Sequence, residues 1–432
     1  MTWRILMHAT LFLASLLALM PAQANPKWGM NDVTIIYPLP HYPHEISQLI
    51  SPGTEGLGGS LLPEKYFQRL PVINQGEPRH LTYRNLRVVA VRIDPCFSFK
   101  GECLPQVRLV WQPLNKSSYG SSTRVGLLEA KDAAIHTLYT FTPASFQTFL
   151  GRYAELKDSN ARDMSLEPLQ VHPVLARQGL DGAFAQGLME LLADHIGEQN
   201  LWRVTAMSTF VGGDQWEFQG FNISEEGAHE IRIPRTHGAT RQLFSVSSLT
   251  HNDFSNGQLT PAPLGNDNLQ TLLRDSRFQP STSSPLMREL GLSVARIENP
   301  NIHSPETMDC VSCHAAQAAG SVLLNRLPWL RNDPQHIEAS FSSPSPLLNV
   351  GSLQGNTQIL RALGYFERHL ILSRRVINET ARVVERMNSR AATSDDEKNP
   401  GLAGAKSRKE VVANAFLNSS PWSTRKTTSA AN

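Results

Sequence analysis

Cysteine is scarce in this 432-residue chain, and the four present fall into two close pairs, Cys96 with Cys103 and Cys310 with Cys313. That leaves no second ligand pair at the spacing a zinc knuckle uses. Excess charge of one sign is also lacking. Forty basic against 38 acidic side chains give a formal net charge of +2, so no broad electrostatic pull toward nucleic acid or anionic lipid is implied. Apolar runs of membrane-spanning length are missing, and no internal repeat of useful strength is visible. No nucleophile, base and orienting group share a context that suggests a hydrolase.

The first residues read as an export signal. A single early cation, Arg4, precedes an apolar run from Ile5 to Met20 and the small-x-small sequence Ala22-Gln23-Ala24, which places the mature start near Asn25. A retained membrane anchor is the competing reading, but the run is short for a spanning helix. No cysteine follows it, so a lipid-modified amino terminus is not indicated. The expectation is a periplasmic or secreted chain with no membrane span after maturation. Such a compartment permits disulfides. Cys96 and Cys103 flank Phe-Ser-Phe-Lys-Gly-Glu between two strand-like runs and are expected to clamp a hairpin, a closure contributing about 2–3 kcal/mol.

The other pair stands in Cys310-Val311-Ser312-Cys313-His314. Two thiols three residues apart on one helical turn project from the same face and can meet the two vinyl groups of one porphyrin, while the adjacent imidazole reaches the iron. Cys310 and Cys313 are therefore predicted to hold one covalent haem c, with His314 as the proximal iron ligand. A thioredoxin-like use of the pair requires a preceding strand in a βαβ unit, whereas Pro300 to Asp309 reads as irregular chain.

The segment Asn299 to Ala316, in which Asn299-Pro300-Asn301-Ile302-His303 leads into Met308-Asp309-Cys310, resembles the haem-attachment segment of mono-haem c-type cytochromes. The likeness implies single-electron transfer. In class I members a methionine well downstream completes the iron; here the only methionine after the motif is Met387, on a predicted helix, so that ligation is in doubt. His303, on the chain leading into the motif, is the favoured distal ligand. His336, His369, Met308 and an open sixth position are the alternatives.

The length calls for two or three folded units. Strand-like runs cover Val33 to Tyr37, Leu86 to Ile93 and Val107 to Trp111. Thr142-Pro143 opens a helix carrying Phe146, Phe149, Leu150, Tyr153 and Leu156. A second helix after Asp181 carries Phe184, Leu188, Leu191, Leu192 and His195, and Leu201 to Phe210 turns strand-like again. Gly212-Gly213-Asp214 reads as a hairpin turn, and Trp216, Phe218 and Phe221 as sheet core. His41 and His44 sit in a proline-rich loop without a clear third metal ligand. The fold class expected is α+β: a signal at 1–24, a β-rich portion at 25–155 and a mixed block at 156–255. A linker at 256–285, a mainly helical haem-binding unit at 286–388 with a final helix from Arg374 to Met387, and a disordered tail at 389–432 complete it.

The functions in competition are an exported electron carrier with an unidentified redox partner, a haem peroxidase or other oxidoreductase, and a non-enzymatic envelope scaffold. The motif favours the carrier.

Overall fold

β-Branched and aromatic residues concentrate in runs that pair as one antiparallel sheet. The computed structural model describes residues 28–116, 126–160, 164–210, 214–246, 248–250, 253–255, 257–274, 285–348, 360 and 362–396. The expected export signal, Gly212 and Gly213, and the chain beyond 396 lie outside these residues.

The sheet has ten strands: β1 (Thr34–Ile36), β2 (Leu86–Phe99), β3 (Glu102–Lys116), β4 (Leu128–Ala130), β5 (Ala134–Thr140), β6 (Leu201–Thr209), β7 (Gln215–Ser224), β8 (Gly227–Glu230), β9 (Arg241–Ser245) and β10 (Gln258–Thr260). Their order is β1-β2-β3-β5-β6-β7-β9-β10, with β4 paired to β3 and β8 to β7. Thr209 faces Trp216 across the β6–β7 hairpin, where the diglycine was expected to turn. Helices α1 (Pro143–Asn160) and α2 (Ala183–His195) separate β5 from β6 in sequence, yet these strands are neighbours. The expected boundary near residue 155 therefore falls inside one sheet. Pairing with β6 satisfies the backbone edge that β5 would otherwise expose.

Local chemistry explains the helix starts. Thr142 Oγ1 accepts from the Ser145 amide at 3.1 Å while Pro143 occupies the first helical position, the combination of capping hydroxyl and preset φ that opens a helix. Later come α3 (Pro285–Glu298), α4 (Cys310–Arg326) and α5 (Arg374–Asp396). The last helix runs past Met387 into the stretch expected to be tail. A hairpin, β11 (Leu363–Phe366) with β12 (His369–Leu372), precedes it, so His369 lies on a strand and not on a helix.

The described residues of the presumed linker are part of the fold. This stretch supplies β10 and the short helix Gln270–Arg274, whose Leu272 and Leu273 are fully buried. They join an apolar cluster in which Trp216, Phe218 and Phe244 of the sheet meet Met287, Leu290 and Val294 of α3 and Val311, Ala315 and Ala319 of α4. Burying these faces against each other is the main stabilising term available. The unit expected at 286–388 is thus docked on the sheet.

Register settles which face carries it. Thr34, Arg92, Arg108, Leu138, Arg203 and Asn222 stand directly opposite one another across successive strands, so their side chains share one face. Phe218 shares it with Asn222, four residues along β7, and Gln242 faces Phe218 from β9. Helix α5 covers one end of this face. Buried Arg92 donates to Glu379 Oε2 at 2.7 Å, to the Val376 carbonyl at 2.9 Å and to Thr380 Oγ1 at 2.5 Å. The first turn of α4 covers the other end. Across the hairpin formed by β2 and β3, Cys96 and Cys103 are disulfide-bonded. Among the described residues, no helix is long and apolar enough to cross a membrane.

Candidate functional site

Irregular chain from Pro300 ends at Asp309, the N-cap of α4, whose Oδ2 accepts from the Ser312 amide at 3.0 Å. The cap places Cys310, Cys313 and His314 on the first turn and a half of the helix. Gln242 fixes that turn to the sheet: its Nε2 donates to Asp309 Oδ2 at 2.9 Å and its Oε1 accepts from the Val311 amide at 3.0 Å. Gln242 and Asp309 are both fully buried, so these bonds form where an unmade one would cost most. Met308 is buried as well, with its sulfur accepting from Arg235 Nη1 at 3.3 Å.

His314 is held in one tautomer. Its Nδ1 lies 2.7 Å from the Leu360 carbonyl oxygen, and since a carbonyl only accepts, Nδ1 carries the proton. A bond of this kind is how a protein orients a metal-binding imidazole and raises its basicity. Leu360 is positioned in turn. Asp132 Oδ2 accepts from the Leu360 amide and from Trp216 Nε1, each at 2.9 Å. Phe218 packs against the His314 ring with centroids 4.9 Å apart, adding an apolar wall.

Both thiols are free and half-buried. Burial pushes the Cys310 thiol up to about 12, with the nearby Asp309 charge adding to the shift, and burial pushes Cys313 up to about 11. Protonated thiols of this kind are poor nucleophiles and poor ligands for a free metal ion. Among the described residues, no three His, Cys, Asp or Glu side chains converge as a metal-ion site.

The residues fit a covalently held haem on two grounds. Two unpaired thiols lie on one turn beside an imidazole oriented by its Nδ1 bond, and porphyrin iron needs only axial donors from the chain.

The expected distal ligand is held by hydrogen bonds. His303 Nε2 is 2.7 Å from Asp267 Oδ2 and its Nδ1 is 3.4 Å from Thr307 Oγ1, so both ring nitrogens are engaged. Burial acts to raise the Asp267 carboxyl, but hydrogen bonds from His303 and Arg296 outweigh it and bring it down to about 2. Such a carboxylate anchors the imidazole firmly. The Asp267 partner lies 36 residues away in sequence. Met387 is buried in the large core away from the cluster containing the motif. His336 lines a separate cavity. His41 and His44 are exposed, His44 stacking on Tyr42. The site residues that sequence reasoning missed are Gln242, Asp132 and Leu360; Phe218 was assigned to core alone.

Two arginines lie near the thiols. Arg203 pairs with Glu306 at 2.6 Å and stacks over Trp202 at 4.3 Å. Arg375 pairs with Glu379 at 2.6 Å and donates to the carbonyls of Ile297 and His303.

The chain matches no known family model, no curated protein and no solved structure.

Proposed function

We propose that this chain is an exported mono-haem c-type protein that passes single electrons, with Cys310 and Cys313 as thioether anchors and His314 as the proximal ligand. The observation that carries the reading is the hydrogen bond from His314 Nδ1 to the Leu360 carbonyl, since it orients the imidazole beside two unpaired thiols on the same helical turn. Each thiol would lose its S–H in adding across a vinyl C=C, the sulfur taking one carbon and the hydrogen the other. The high thiol pKa values are compatible with storage as protonated, unoxidised groups until that addition. When bound, haem supplies a one-electron iron couple.

The chain's own residues do the rest. Asp132 holds Leu360, Leu360 holds the proton on His314 Nδ1, Phe218 limits water at the ring, and Gln242 with Asp309 locks the turn that spaces the sulfurs. Raised imidazole basicity favours the ferric state and lowers the potential. Export is supported by the signal-like first residues and by the Cys96–Cys103 bond, which an oxidising compartment permits. The redox partner is left to experiment.

Haem staining of a denaturing gel, on protein exported from a host competent in cytochrome maturation, tests the anchors. The natural chain should stain, and the double variant Cys310→Ala, Cys313→Ala should not. A colourless natural chain, or a stained double variant, ends the proposal. An absorption spectrum unmoved by cyanide or carbon monoxide argues for a carrier; rapid ligand binding with peroxide turnover transfers the site to the oxidoreductase class.

A further inference from the structure

A cavity of about 460 Å³ lies between α3, α4, the short helix Pro334–Ala339 and the start of α5, and Cys310, Cys313 and His314 are not among its lining. Its volume is in the range of small-molecule sites. Glu298, Arg374, Asn378 and His336 bring polar groups to it.

Three of these groups lack partners among the described residues. Asn378 is 3% exposed, and its Nδ2 donates to the Glu298 carbonyl at 2.9 Å while its Oδ1 is buried without a hydrogen bond. The Glu298 carboxyl makes no hydrogen bond or ion pair with the described residues, and burial pushes it up to about 7 against the opposing charges of Arg374 and Arg375. The Arg374 amide donates to Gln317 Oε1 at 2.8 Å, but its guanidinium has no hydrogen-bonded partner. The contrast with its neighbour is instructive, because Arg375 is fully spent on Glu379 and two carbonyls. His336 contributes a half-buried ring that burial keeps neutral.

Opposite charges thus face one space without pairing. A lone cation in the cavity would leave the Arg374 fork unmatched, and a lone anion would confront Glu298 and the bare Asn378 oxygen. A molecule carrying both charges satisfies all three groups, of which the buried Asn378 oxygen costs about 1–3 kcal/mol when its bond is unmade. The remaining wall includes Val294, Leu324 and Phe341, which suits an apolar substituent.

We infer that this cavity binds a small zwitterion, a free α-amino acid with an aliphatic side chain. Its ammonium donates to Glu298 and Asn378 Oδ1, its carboxylate accepts from the Arg374 guanidinium, and its side chain lies against the apolar wall. The inference is independent of the haem reading, since it uses none of the motif residues.

Isothermal titration of the full chain with L-leucine, 3-methylbutylamine and 4-methylpentanoate tests it, because the second compound lacks the carboxylate and the third the ammonium. L-leucine should bind at least about tenfold more tightly than either half-ligand. Glu298→Gln and Arg374→Met should each weaken leucine binding by about tenfold while leaving haem attachment unchanged. No binding of L-leucine up to about 10 mM, a half-ligand that binds as well as leucine, or two folded variants that bind like the natural chain overturns the inference. Should a variant fail to fold, the three-ligand comparison on the unaltered chain decides by itself.

Discussion

Asp309→Ala removes the cap of the motif helix and a link between that helix and the sheet in a single step. Asp309 Oδ2 accepts from the Ser312 amide at 3.0 Å and from Gln242 Nε2 at 2.9 Å, in a fully buried position. Loss of an N-cap costs about 1 kcal/mol. The Gln242 amide loses its better acceptor but keeps a 3.3 Å contact to the Pro261 carbonyl, which holds that second cost to about 1 kcal/mol rather than the full penalty of an orphaned donor. Asp309 Oδ1 has no partner, so removing the carboxylate also relieves some desolvation. The net expectation is a loss of about 2 kcal/mol, read as a shift in the urea midpoint of the full chain. Asp309→Asn keeps an oxygen for the Ser312 amide and should lose less than half as much. A frayed first turn no longer holds the thiols on one face, so covalent haem yield should fall in the alanine variant and persist in the asparagine one. An alanine variant within about 0.5 kcal/mol of the natural chain, or an asparagine variant as damaged as alanine, would refute the account of the capped turn.

Further outcomes follow from the same structure. His172 is buried against Phe184, and desolvation lowers it from 6.5 to about 3. The unfolded chain therefore takes a proton that the native state refuses, and stability should fall by up to about 5 kcal/mol as pH drops from 6.5 toward 3; an unchanged acid limb in His172→Gln would contradict this. Glu298 has the opposite sign, being raised from 4.5 to about 7, so its ionisation weakens the fold as pH rises through that window. Glu298→Gln should be more stable than the natural chain at pH 8 by about 3 kcal/mol and equal to it near pH 4, as thermal melts at the two pH values will show. Reducing the Cys96–Cys103 bond should cost about 2–3 kcal/mol of chain-entropy stabilisation, measured as a midpoint shift with and without reductant and absent from a Cys96→Ser, Cys103→Ser variant.

Much of the local structure was legible in the residues themselves. Thr142-Pro143 announced α1, the apolar spacing after Asp181 announced α2, and the runs at Leu86 and Val107 are strands, because capping, preset φ and side-chain periodicity act within one or two turns of chain. Cys310, Cys313 and His314 were found by spacing alone, and the structure puts them on one helical start as that spacing requires. Organisation into units was not legible. The expected linker buries Leu269, Leu272 and Leu273, and the expected boundary between the β-rich portion and the mixed block is crossed by the pairing of β5 with β6. A polar, proline-containing stretch looks alike in sequence whether or not it packs.

Taken alone, the residues determined an α+β chain with a Cys-x-x-Cys-His spacing, since both depend on chemistry between near neighbours. Tertiary structure alone decided what surrounds that spacing. Gln242 reaches Val311 across 69 residues, Leu360 reaches His314 across 46, and Asp267 reaches His303 across 36. Such partners are chosen by strand register and helix docking, which depend on the burial of whole faces and leave no local mark at either residue.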